Sequence, residues 1–305
     1  MNRLKYFLAA VSAAFIWGFF SIPLRNLKAY PAELILDYRI LTSLIITWLI
    51  IILSRRHRLK SDYNLVKNLP ESDRKKTWAL VLISGILITC NWFTFIYAIN
   101  NVSLKSAAFA YMVCPLITAL GGFLILKEHL SGKKLWAIAV AFISVCILAK
   151  GSVADVTWSV IIAAFYAFYL ITQRVLNLLD KLNTLGIQLI IAMLLMLPLF
   201  IYRHQHVPVE PMFWINILIV SGIFTVLPLF LSLYALEGIQ SGTMGIIIYI
   251  NPIISFAIAF LYFHETVTQL QVFSYALLFA AVILFNFEMI YSIFNGRFKF
   301  STEKR

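Results

Sequence analysis

SGILITCNWFTFIYAINNVSLKSAAFAYMVCPLITALGGFLILKE, residues 84–128, returns in altered form as SGIFTVLPLFLSLYALEGIQSGTMGIIIYINPIISFAIAFLYFHE, residues 221–265. A shift of 137 residues superimposes the two stretches without a gap. Ser84-Gly85 falls on Ser221-Gly222, Tyr97-Ala98 on Tyr234-Ala235, Pro115 on Pro252 and Glu128 on Glu265. Coincidences such as Phe93/Phe230 or Leu124/Leu261 carry little weight, because apolar identity is common in membrane helices. Matches at Ser-Gly, Tyr, Pro and Glu are harder to obtain by chance. A repeat of this kind governs the reading of the whole fold.

The composition puts the doubled unit in lipid. Of 305 residues, 62% are hydrophobic and 12% charged, and the mean hydropathy is +0.89. Soluble domains have about 45–50% apolar and about 25% charged residues. The net charge of +12 does not imply nucleic acid, since the charges sit in short loops where they set orientation and meet anionic lipid. Cys90, Cys114 and Cys146 lie in apolar runs without a CxxC and read as small hydrophobes.

A membrane helix needs about 20 apolar residues. Runs of that kind cover about 6–24, 33–53, 78–99, 104–126 and 135–149, then 153–172, 184–202, 213–236, 243–263 and 270–292. Helices are expected, because an open sheet cannot satisfy its backbone in lipid and the alternation of a barrel is missing. The first run also has the basic start (Arg3, Lys5) and small residues (Ser12-Ala13-Ala14) of a signal peptide. It continues through Phe15-Ile16-Trp17-Gly18-Phe19-Phe20, however, to a full spanning length. The long polar stretch 54–77 carries eight basic residues. It reads as a solvated loop, with an interfacial helix around 63–69 as the other reading.

Orientation follows from Lys and Arg. With the N-terminus in the cytoplasm, nineteen of the 25 basic residues fall in inner segments and five in outer loops: Arg25, Lys28, Lys105, Lys150 and Arg203. Arg39 lies within a span. Both termini are therefore expected inside. Five spans per half then invert the second half relative to the first. The expected fold is an all-α integral membrane protein of ten transmembrane helices, as two inverted five-helix repeats over residues 1–150 and 151–305. Inverted repeats about an axis in the membrane plane are the architecture of secondary transporters.

Enzyme signatures are missing: there is no HExxH, GxGxxG, P-loop or GxSxG. No cofactor or metal is expected. Pro115 and Pro252 each remove a helical hydrogen bond and free the carbonyl four residues back, that of Tyr111 and of Ile248. In lipid such a carbonyl needs a partner or a wet cavity, so both prolines are candidate hinges. A buried arginine costs about 2.5–3.5 kcal/mol on insertion scales. Arg39 must therefore contact substrate or a gate, snorkel outward over roughly 9 Å at a rise of about 1.5 Å per residue, or join an ion pair. Mid-span aromatics and amides complete the candidate binding set: Trp17, Tyr38, Arg39, Asn91, Trp92, Tyr111, Tyr249 and Asn251. Glu33, Asp37, Glu237 and Glu288 are the carboxylates open to proton coupling, and all lie near span ends.

At these residues the chain resembles the drug/metabolite transporter superfamily, EamA type, and within it the RarD branch. The resemblance rests on Phe15-Ile16-Trp17-Gly18, Tyr38-Arg39, Asn91-Trp92, Asn100-Asn101, Tyr111 with Pro115-Leu116, Phe165-Tyr166, Val226-Leu227-Pro228-Leu229, Tyr249 with Pro252, and Glu265. It departs from the branch at Tyr38, where a His is expected. It implies a bacterial inner-membrane carrier, often an exporter of amino acids or other metabolites. Expected partners are a small-molecule substrate and the lipid bilayer, with protons as candidate coupling ion and a second copy of the chain as candidate partner; no nucleic acid is expected. The alternatives are an uncoupled, channel-like facilitator and a non-transporting membrane scaffold.

Overall fold

The computed structural model describes residues 4–127, 131–151, 153–176, 178–203, 207–236, 247–264, 266, 268–285, 287 and 291. All regular structure among them is helical. Glu128, Glu265, Glu237 and Glu288 lie outside the described residues. The first half contains α1 (Leu4–Gly18), α2 (Ser21–Arg25), α3 (Ala32–Ser54), α4 (Arg56–Lys67), α5 (Glu71–Asn101), α6 (Leu104–Leu126) and α7 (Gly132–Gly151). The second contains α8 (Val153–Val175), α9 (Lys181–Arg203), α10 (Pro211–Ser221), a π-helical turn (Gly222–Val226), α11 (Leu227–Leu236), α12 (Ile250–Leu261) and α13 (Gln269–Phe285).

Seven described helices are long and apolar enough to cross a bilayer. One joins α1 to α2 as Leu4–Arg25, and another joins α10, the π turn and the start of α11 as Pro211–Ser232. Phe109–Ile125, Ile250–Leu261 and Gln269–Phe285 are shorter apolar stretches. Two spans are interrupted, and proline accounts for both interruptions. Pro23 cannot donate to Phe19, and around that point the chain tightens into i→i+3 bonds, Phe19 N–H to Ile16 O and Phe20 N–H to Trp17 O, both 3.1 Å. Pro228 cannot donate to Phe224, and the π turn forms just before it.

The polar stretch after α3 is not a loop. Arg56–Lys67 is helical, and it is anchored to the rest of the protein. Asp62 accepts from Asn183 Nδ2 at 2.6 Å and from the Asp180 N–H at 3.0 Å. Arg55 pairs with Asp180 at 3.1 Å. Val66 packs with Val81, Leu176 and Leu179. The basic charges concealed a single buried apolar residue, Val66, and a single carboxylate anchor, Asp62.

The two halves exchange helices. α8 of the second half packs on α5 and α6 of the first, while α1 of the first packs on α11 and α12 of the second. The duplicated Ser-Gly pair explains part of this. Ser84 Oγ accepts from Gln188 Nε2 on α9 at 2.6 Å, and a Cβ on Gly85 would meet Ile191 of α9 at 2.9 Å. Ser221 Oγ bonds Thr42 of α3, and Gly222 faces Ile46 of the same helix. In each half a serine and a glycine admit the neighbouring helix of the other half, as small interfacial residues do in membranes. A second matched pair lies nearby: Gly18 of α1 receives Ile254 of α12, and Gly121 of α6 receives Ile171 of α8.

Candidate functional site

Between the two halves lies a cavity of about 60 Å³, reached by side chains of α1, α3, α5, α6, α8, α9, the π turn, α11 and α12. A water needs at least about 10–15 Å³ by this measure, so the space admits only a few waters. Its single fixed charge, among the described lining residues, is Arg39.

Arg39 is 4% exposed, and its guanidinium turns into the bundle. It lies 4.7 Å from the Trp92 ring centroid and 5.0 Å from that of Phe20. Such contacts are worth about 2 kcal/mol or more when desolvated. Nε donates to Thr225 Oγ1 at 3.1 Å. The Thr225 hydroxyl in turn donates to Val220 O at 2.8 Å, which leaves its lone pair for the arginine. Snorkelling is therefore not what this side chain does, and no ion pair to it forms among the described residues. Nη1 is buried without a hydrogen-bond partner.

The interrupted spans supply this geometry. Phe20 stands at the break above Pro23. The carbonyl freed by Pro228, that of Phe224, accepts the Trp17 Nε1–H at 3.1 Å. On the opposite side Asn91 Nδ2 donates to Ile162 O at 3.0 Å. Trp17 thus ties α1 to the π turn, and Asn91 ties α5 to α8. Tyr111 and Tyr166 meet edge to face at 5.8 Å, and Tyr166 stacks on Tyr169 at 5.9 Å. Ser255 Oγ lies 3.1 Å from Asn251 Oδ1 and 3.2 Å from Gly18 O.

Six residues of the sequence-derived set therefore converge: Trp17, Arg39, Asn91, Trp92, Tyr111 and Asn251 all line the cavity. Tyr38 does not. Adjacent helical residues point about 100° apart, so the turn that sends Arg39 inward sends Tyr38 toward Phe200, Phe213 and Trp214. Tyr249 is buried but absent from the lining; its neighbour Ile248 takes that place. Pro115 falls within α6 as expected. Pro252 lies in the first turn of α12, which begins at Ile250 after a turn at Tyr249 that itself follows the helical residues Ile247 and Ile248. Its missing N–H sits in a first turn, where donors have no intrahelical partner. Phe20 and Thr225 were not in the expected set. Pro23 and Pro228, each placed to free a carbonyl near them, are the sequence signals that point to both.

The sequence profile of the EamA-like transporter family matches residues 4–150 and again 155–287. The chain belongs to the EamA-like transporter family. It is similar to the uncharacterized transporter YojE of Bacillus subtilis (strain 168), 28% identical over 280 residues, which cover 90% of this chain and 91% of that one. It is also similar to the protein RarD of Escherichia coli (strain K12), 24% identical over 291 residues covering 93% and 95%. A solved crystal structure superposes with a TM-score of 0.62 at 13% identity, covering 93% of this chain and 96% of that chain. The protein is a multi-pass membrane transporter of the RarD-like kind within the drug/metabolite transporter superfamily.

The two EamA repeats contribute matched positions to the cavity with unmatched chemistry. Under the 137-residue shift Ile88 corresponds to Thr225, Trp92 to Leu229 and Tyr111 to Ile248, and all six line it. Leu185, three residues before Gln188, lines it as Arg39 does three residues before Thr42. At each pair one EamA repeat offers an aliphatic side chain and the other a polar or aromatic one.

Proposed function

We propose that this chain is a secondary carrier that exports a small molecule across the bacterial inner membrane by alternating access. The observation that carries the reading is the cavity itself, which sits where the two repeats exchange helices and is lined by positions that correspond under the repeat. In this reading ten spans form two inverted five-helix units over residues 1–150 and 151–305, with both termini cytoplasmic. Two units of opposite sense have two related packings, one open to each side. Substrate contacts Trp17, Arg39, Asn91, Trp92, Tyr111 and Asn251, with Tyr38 and Tyr249 supporting from behind. Pro115 gives α6 a weak point, and the turn before Pro252 gives α12 its own. Protons are the proposed coupling ion, and a homodimer is the proposed assembly. A space of about 60 Å³ suits a closed stage of such a cycle better than an open pore.

Liposomes containing the purified protein and loaded with a mixture of small bacterial metabolites test the proposal. Saturable release of a subset, dependent on an imposed proton gradient and lost in Arg39→Gln with unchanged elution of the protein, is the expected result. Release proportional to concentration and insensitive to the gradient would identify an uncoupled facilitator instead. No release, with a protein captured through α4, would identify a scaffold.

A further inference from the structure

The cavity assigns a charge class to its ligand. Arg39 stays protonated in a protein interior. Its Nε is satisfied by Thr225, and its Cζ lies over the rings of Phe20 and Trp92 at 5.0 and 4.7 Å from their centroids. Those contacts leave Nη1 buried and unpartnered. A buried cation of this kind is costly unless something negative meets it. No Asp, Glu, His or second cation is among the described side chains that line the space.

We infer that the ligand is a small organic monocarboxylate with an apolar or aromatic body, its carboxylate bound at the Nη edge of Arg39. This rests on the reading of the cavity as the transport site. A planar carboxylate matches the guanidinium fork. The remaining walls, including Phe95, Tyr111, Ile88 and Leu229, suit an uncharged body. An amino-acid zwitterion fits less well. Its ammonium would find no carboxylate among the described lining residues, would lie close to Arg39, and would compete with Arg39 for the Trp92 and Phe20 faces. The described lining residues carry one cation and no anion, a balance that one negative charge on the ligand completes.

Four matched probes separate the classes on the purified full chain in detergent: 3-phenylpropionate, 3-phenylpropionamide, phenylalanine and phenethylamine. They share a benzyl body and differ in charge, and binding is followed by calorimetry. The expected order places 3-phenylpropionate first, with the amide about thirtyfold weaker or more, the effect of removing one partner of a buried charge pair, and phenylalanine also weaker, because its ammonium would be buried without a partner. Arg39→Gln should bring the carboxylate down to the level of the amide, and Arg39→Lys should restore part of the difference. Leu229→Trp, which fills the cavity opposite Trp92, should abolish binding of every probe. Phenylalanine binding as well as the carboxylate, or an Arg39→Gln variant that keeps the preference, overturns the charge assignment while leaving the cavity as the site. Carboxylate binding that survives both Arg39→Gln and Leu229→Trp overturns the cavity reading itself. No binding by any probe to the unmodified chain overturns the ligand class.

Discussion

Two joints between the halves do the same work, while the cavity between those joints does not divide its work evenly. At one joint Ser84 and Gly85 receive Gln188 and Ile191; at the other Ser221 and Gly222 receive Thr42 and Ile46. The duplicated pair has kept its role because a close helix approach needs small side chains in both copies. Inside the cavity the copies have diverged. Trp92, Tyr111 and Thr225 correspond under the 137-residue shift to Leu229, Ile248 and Ile88, and Arg39 stands three residues before Thr42 as Leu185 stands three before Gln188; all line the cavity. In the proposed carrier, the symmetric frame would supply the two packings and the asymmetric lining would give the bound molecule one orientation.

The comparison can be broken at several points. Replacing Arg39 by Leu, the residue at the related place in the other repeat, should reduce transport to background, whereas Leu185→Ala should leave most of it; initial rates in liposomes read both. Gly18→Ala brings a Cβ within 2.6 Å of Ile254 Cβ, a branched atom that cannot swing aside. It should destabilise the protein by about 1–3 kcal/mol, as overpacking does, measured by denaturation in detergent. Gly85→Ala, with Ile191 atoms at 2.9–3.1 Å, should cost somewhat less, and Gly222→Ala, whose nearest neighbour is 3.8 Å away, should cost least. Ser84→Ala leaves the buried Gln188 amide without its 2.6 Å acceptor and should cost about 1–3 kcal/mol. Ser221→Ala should cost less, because Thr42 also bonds the Tyr38 carbonyl at 2.6 Å. Equal costs at the two serines would mean that the second bond of Thr42 does not compensate for the loss of Ser221.

Much of this was legible before any coordinates, for reasons that differ from residue to residue. The repeat was visible because Ser, Gly, Pro and Glu are unusual in apolar helices. Arg39, Asn91 and Asn251 stood out because polar groups are expensive in lipid, and that same cost gathers them round the cavity. Tyr38 entered the expected set beside Arg39 in the family pattern, and adjacent residues of a helix do not share a face. Phe20 and Thr225 were missed because their positions depend on the break above Pro23 and on the π turn before Pro228, where helical periodicity fails. The helix Arg56–Lys67 was legible only in part, as the alternative helix around 63–69, because its anchor is one carboxylate, Asp62, whose partners lie 118 and 121 residues away.

The central claim is that the cavity opens to the two sides of the membrane in turn. Accessibility of a single cysteine at Ala107, a fully buried cavity residue, tests it most directly, with Cys90, Cys114 and Cys146 replaced. Right-side-out and inside-out vesicles are treated with a membrane-impermeant thiol reagent, with and without 3-phenylpropionate. Labelling from both faces, with ligand raising one rate as it lowers the other, is the predicted result. Labelling from one face alone under every condition, or at rates that rise and fall together on both faces, would contradict it.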